Sequence, residues 1–210
     1  MPRPRIHDRD TILDAAQSLA VATGPAGVTT RAVAEAAGVS NGAIYHSFRS
    51  RSDLVAQTWL RAARAFLDIQ RHLVDAALAD PSADPIDAVA AAAAAPAVFH
   101  DHHPQSSRLL LRVNRTQLLG DDLPEDVTAD LAAVDRALVG LMMRLSDRVW
   151  GRRDATAVDA ITMCIVDLPT AITLSRKRIG SDWARDRLAA AVRAVLAGDP
   201  PPRKPRTHEE

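Results

Sequence analysis

The 210-residue chain has a single cysteine, only 3% aromatic residues and no formal net charge, and each scarcity excludes something. One thiol, Cys164, rules out an intramolecular disulfide framework and a cysteine-based zinc site. Few aromatics beside abundant alanine mean that helices must pack closely through small side chains. Long apolar runs are also missing. The longest, over residues 88–99, is alanine-rich, interrupted by Pro96 and too short to cross a bilayer. Arginines near the N-terminus have no apolar segment behind them, so they do not form a signal peptide, and a cytoplasmic location is expected. No nucleophile is paired with a base, no glycine loop is built for phosphate, and no metal constellation stands out, so neither an enzyme nor a cofactor is expected.

What is present is helical. Apolar residues make up 47% of the chain, enough for a packed core, and every long segment carries a helical period while none alternates as a strand. An all-α fold follows, and no internal repeat is found. The spacing predicts a first helix over about 9–22, burying Ile12, Ala15, Ala16 and Leu19 and stopped by Gly24-Pro25. Two short helices then flank Gly38. A fourth opens at Ser50 with Asp53 as a capping-box partner and runs to about 79, with Trp59 and Phe66 on its apolar stripe. Further helices are expected from Pro85, over about 104–119, 124–150, 155–177 and 182–197. Pro169 should bend the eighth. The division expected is a helix-turn-helix domain at 1–52, a helical domain at 53–198 and a disordered tail at 199–210.

Charge is distributed unevenly: residues 1–52 carry a net of +2 and the remainder is slightly acidic. Within that basic part lies the most informative segment, VTTRAVAEAAGVSNGAIYHSFRSRSDL, from Val28 to Leu54. Thr29 can cap a helix whose buried face is Val33, Ala34 and Ala37. Gly38 sits where a left-handed residue is needed. Val39 then plugs the core, Ser40 caps the next helix, and Ile44 and Phe48 face inward. That is the spacing of two helices joined by a tight turn. It leaves Asn41, Gly42, Ala43, Tyr45 and His46 outward on a short helix suited to a major groove.

These residues resemble the DNA-binding region of the TetR family of transcriptional regulators. The family pattern G-V-S-x-G-x-[LI]-Y-x-H-F-x-[ST]-K-x-x-L is met from Gly38 to Leu54 with two departures, Ser47 for His and Arg51 for Lys. The match covers about residues 9–54. The resemblance implies that Thr29, Thr30 and Arg31 approach DNA from the start of the second helix. It implies that Ser40, Asn41, Gly42 and Ala43 lie at the reading end of the third, and that Tyr45, His46 and Arg51 touch phosphates. The arm of Arg3, Arg5 and Arg9 is either solvated and mobile or adds a minor-groove or backbone contact. By the same resemblance the chain is a homodimer that binds operator DNA and responds to a small-molecule effector, with repression as the default sense.

Beyond about Leu60 no family pattern is visible. Asn114 and Gln117 lie on the inward stripe of the sixth helix with Leu110, so they either bond protein groups or orient a ligand. An apolar effector pocket is expected from some of Trp59, Phe66, Phe99, Leu110, Asn114, Gln117 and Met142. The eighth helix has one apolar face with Ile161, Ile165 and Leu168 and another with Met163, Val166, Thr170 and Leu174. The second face either covers the monomer core or, with the ninth helix, meets a second copy. His100, His102 and His103 make a polar connector or lend a ligand contact, and no metal is expected. Cys164 is either core or a redox sensor, and Asp167 is solvated or faces a cavity. The rival readings are an activator, a ligand-independent repressor, and an enzyme or carrier that has lost DNA binding.

Overall fold

The computed structural model describes residues 6–112, 123–175, 177–198 and 200–203, of which 6–8 and 112 are described by backbone alone. Among these residues the chain is helical without a strand, as its periodicity predicts. The helices are α1 (Ile6–Thr23), α2 (Thr30–Ala37), α3 (Asn41–Ser47), α4 (Arg51–Ala77), α5 (Pro85–His102), α6 (Pro104–Arg112), α7 (Glu125–Trp150), α8 (Ala155–Leu174) and α9 (Asp182–Leu196). They form two compact units, Met1–Ala65 with His103–Asp135, and Phe66–His102 with Arg136–Glu210.

In the first unit α1 stops where Gly24 turns to positive φ and a 3-10 turn, Pro25–Gly27, follows. Gly27 is needed there because a Cβ would collide with the Thr23 side chain. The core joins Ile12 and Ala16 of α1, Val33 of α2, Ile44 and Phe48 around α3, and Leu54 of α4. From α6 it takes Leu109, which is buried, whereas the expected Leu110 is half-buried at its edge. A second cluster packs Ala56, Trp59 and Leu60 against Leu123, Val127 and Leu131.

In the second unit the alanine-rich α5 lies in a core with Val74, Leu141, Met142, Leu145, Ile161, Cys164, Leu188 and Val192. Pro96 stands inside α5. Proline has no N–H, so the carbonyl four residues back is left without its helical donor. That carbonyl, of Ala92, instead accepts the side-chain amide of Gln70 at 3.1 Å, from a side chain only 1% exposed. Gln70 Oε1 is left without a partner among the described residues.

Pro169 acts on α8 in a related way. The helix does not break there. It widens into π turns at Met163–Asp167 and Thr170–Leu174, where Leu168 N–H bonds to Met163 O and Ser175 N–H to Thr170 O. The wider turns relieve the clash between a proline ring and the preceding turn.

The open alternatives on this helix resolve into two positions. Cys164 is fully buried, burial pushes its thiol up to about 11, and it is core. Asp167 is exposed.

Candidate nucleic-acid interface

Each end of the short helices is set by a local interaction. Thr29 Oγ1 accepts the Ala32 N–H at 3.1 Å and Ser40 Oγ accepts the Ala43 N–H at 3.2 Å. Between them Gly38 takes φ 67° and ψ 28°, the left-handed conformation that a side chain opposes. Its N–H and that of Val39 close α2 onto the Ala34 and Glu35 carbonyls. Ile44 and Phe48 are then buried, and Asn41, Gly42 and His46 are exposed on the opposite side of α3. Tyr45 is 60% exposed. Its hydroxyl lies 3.4 Å from Thr30 Oγ1, which ties the outer face of α3 to the start of α2. Arg31 is exposed one residue further on, and Ala43 is half-buried.

The arginines around this surface divide into two kinds. Arg51 donates from Nε to the Val28 carbonyl at 2.6 Å and from its guanidinium to the Pro25 carbonyl. It thus braces the turn from which α2 starts. Arg49 pairs with Asp126 at 2.6 Å, and the guanidinium holds that carboxyl below the usual carboxylate range. Arg9 belongs to the core of the module rather than to an arm. It stacks 4.8 Å above the Phe48 ring, donates to the Ser47 carbonyl at 3.1 Å and bonds Gln57. Arg3 and Arg5 lie outside the described residues.

Sequence reasoning found the caps and missed the polar network under them. Ser50 Oγ accepts the Asp53 N–H at 3.0 Å, as a capping box requires, but Asp53 Oδ2 reaches back one residue further, to the Arg49 N–H at 2.8 Å. Its other oxygen accepts Gln57 Nε2 at 2.7 Å, and Gln57 bonds Arg9. No spacing rule joins Arg9 to Gln57, because the two meet only when α1 lies on α4.

The expected effector residues fall in different places. Phe66 and Phe99 meet edge to face, with centroids 5.6 Å apart and planes at 80°. Met142 is buried in the same unit, with its sulfur 3.5 Å from the Thr162 hydroxyl. Trp59 and Leu110 pack in the first unit. Asn114 and Gln117 lie outside the described residues. His102 and His103 are exposed and His100 is half-buried. The described residues contain no group of three or more His, Cys, Asp or Glu side chains able to hold a metal ion.

Two capped helices about a left-handed glycine, with small and polar groups outward over a closed core, define the class of helix-turn-helix DNA-binding regulators. A known family matches this module over part of the chain. Residues 12–58 match the family described as bacterial regulatory proteins, tetR family. A TetR-like transcriptional regulator from Rhodococcus sp. RHA1 shares the fold with a TM-score of 0.68 and 20% identity, over 94% of this chain and 100% of that one. The fatty acid degradation regulator FadR from Bacillus halodurans has a TM-score of 0.62 and 16% identity, over 94% and 97%. The TetR family transcriptional regulator PfmR from Thermus thermophilus has 0.65 and 18%, over 89% and 97%. No curated protein sequence matches the chain. The resemblance read from Gly38 to Leu54 is therefore borne out, by the family match in the N-terminal module and by the TetR-like helical fold of the whole.

Proposed function

We propose that the chain is a homodimeric, cytoplasmic repressor that grips a palindromic operator and is released from it by a small, largely apolar molecule. The observation that carries the reading is the surface of α3. Asn41, Gly42, Tyr45 and His46 are exposed above buried Ile44 and Phe48, beside exposed Thr29 and Arg31. In this reading Arg31, Asn41, Gly42 and Ala43 meet base edges. Thr29, Thr30, Ser40, Tyr45 and His46 meet phosphates and sugars, and Arg51 lends its charge while bracing the turn. The effector enters near the Phe66 and Phe99 rings, whose helices α4 and α5 carry the apolar wall such a ligand needs. The second copy covers the exposed side of α8 and α9, where Met163, Val166, Trp183 and Val195 face solvent.

The direct test is a mobility shift of the protein on the DNA upstream of its own gene against random duplex of equal length. Specific binding at physiological salt should exceed random binding by at least about 10³-fold. Equal affinity for the two would sink the operator reading. Footprints at two half-sites related by a dyad are expected, and a single unpaired footprint would remove the dimer from the mechanism.

A further inference from the structure

Arg49 stands between the reading helix and α4. Phe48 closes α3 with its N–H on the Ile44 carbonyl at 2.8 Å, and Ser50 caps α4. The Arg49 main chain is pinned between these ends, because its N–H donates to Oδ2 of the buried Asp53 at 2.8 Å. Its side chain, in contrast, is 66% exposed and meets Asp126 Oδ1 through Nη1 at 2.6 Å. A fixed root with an exposed cationic tip, one residue past the end of α3, suits a phosphate contact beside a helix lying in a major groove.

The neighbouring guanidiniums do other things. Arg51 holds the Val28 and Pro25 carbonyls, and Arg9 stacks on Phe48. Arg49 is engaged by an acid, and that acid can let it go. Asp126 lies in the first turn of α7, where its own N–H and that of Val127 favour the ionised carboxylate. The positive end of the helix dipole acts in the same direction. The Asp126 charge therefore stays supported when the guanidinium leaves. Asp130, one turn further along α7, pairs with Arg64 of α4 at 2.8 Å, so α7 keeps a tie to α4 as well. An exposed pair such as Arg49–Asp126 contributes little to the fold. Duplex DNA offers the same guanidinium a line of phosphates and the release of condensed counterions.

We propose that Arg49 is a phosphate-binding residue of the DNA interface and that Asp126 masks it in the free protein. Duplex DNA takes the guanidinium from Asp126, and the broken pair is subtracted from the affinity. Because phosphates carry no sequence information, the mask lowers affinity for every duplex alike and leaves the preference for the operator unchanged. The inference rests on the DNA-binding reading and adds to it a residue and an internal competitor.

The test measures binding of the full chain to two labelled duplexes by fluorescence anisotropy, one the DNA upstream of its own gene and the other random. Asp126→Asn should bind both about fivefold more tightly than the wild type. Arg49→Ala should cancel that gain in the double variant, and Arg49→Lys, which keeps the charge, should retain it. Denaturant melts check that each variant is folded, and Asp126→Ser replaces Asp126→Asn should the latter fail to fold. No gain in Asp126→Asn overturns the mask. An equal gain in the Arg49→Ala background also overturns it, because Asp126 then acts on DNA as a repelling charge and not through Arg49. A gain confined to the upstream duplex overturns it too, since a phosphate contact cannot tell the two apart. Absence of binding to either duplex by every form removes the DNA-binding reading and the mask with it, whereas binding without a response to Asp126→Asn removes the mask alone.

Discussion

Arg51 donates from Nε to the main-chain carbonyl of Val28 at 2.6 Å, so the first residue of α4 holds the turn from which α2 starts. The same guanidinium reaches the Pro25 carbonyl. Lysine at this position would offer a point charge on a flexible stem. Arginine offers a planar fork that serves two carbonyls at once. The departure from the family pattern at residue 51 thus has a structural reason within this chain.

Arg51→Ala should therefore act in two ways. It should lower stability by about 1 kcal/mol through the lost bonds to partly exposed carbonyls. It should also weaken binding to all duplexes alike and reduce the salt slope by about one. Arg51→Lys should keep most of the charge effect and lose the stability. Arg31→Ala should instead leave stability alone and cost about 1–3 kcal/mol on the operator only. Denaturant melts and salt-dependent binding curves separate these outcomes. Identical curves for Arg31→Ala and wild type would remove Arg31 from the interface.

Gln70 and Pro96 should be coupled, because the amide of one satisfies the carbonyl freed by the other. Gln70→Leu strands the Ala92 carbonyl in the wild type. In Pro96→Ala the helix supplies its own donor, so the same change strands nothing. The cost of Gln70→Leu should be at least about 1 kcal/mol smaller in the Pro96→Ala background. Additive effects in the double-mutant cycle would show that the bond contributes nothing.

Met163 and Val166 are 41% and 37% exposed on α8. Changing both to Glu should leave the helical signal intact and give monomers in sedimentation. Operator affinity should fall by about 10² or more, since two half-sites bound together gain from effective concentration. A dimer that persists in this variant places the interface on another face.

Asp126 should titrate below an ordinary aspartate because Arg49 donates to its carboxylate. A carboxyl whose folded value is depressed contributes stability above the unfolded value, about 3.9, and loses it as pH falls through the folded value. The pair is largely exposed, so the effect is small and is best read directly. The Asp126 carboxyl carbon, followed by NMR, should show a midpoint below about 3.9 that rises toward it in Arg49→Ala. A midpoint already at the ordinary value in the wild type would dissolve the pair in solution.

How much of this was open to sequence reasoning varies with the range of the interaction. The caps at Thr29, Ser40 and Ser50, the left-handed turn at Gly38 and the inward Ile44 and Phe48 all depend on neighbours within about one helical turn. Periodicity and residue type specify such features, and for the same reason the helix ends that fall within the described residues lie within a few residues of expectation, while the expected end of the sixth helix lies outside them. Leu109 and Leu110 mark the limit. A stripe on a short helix ranks adjacent leucines poorly, and packing against α1 chose Leu109 for burial.

The chain by itself determined that the protein is all-helical and that a helix-turn-helix reading head stands near its start, because both are written in local spacing. Tertiary packing alone decided what the polar groups do. It turned Arg9 from an arm into a brace over Phe48, sent Arg51 to Val28, and set Gln70 against the carbonyl freed by Pro96. It also left Trp59 Nε1 buried without an acceptor among the described residues. Such outcomes depend on which helix lies against which, and a donor and its acceptor tens of residues apart carry no mark of each other in the sequence.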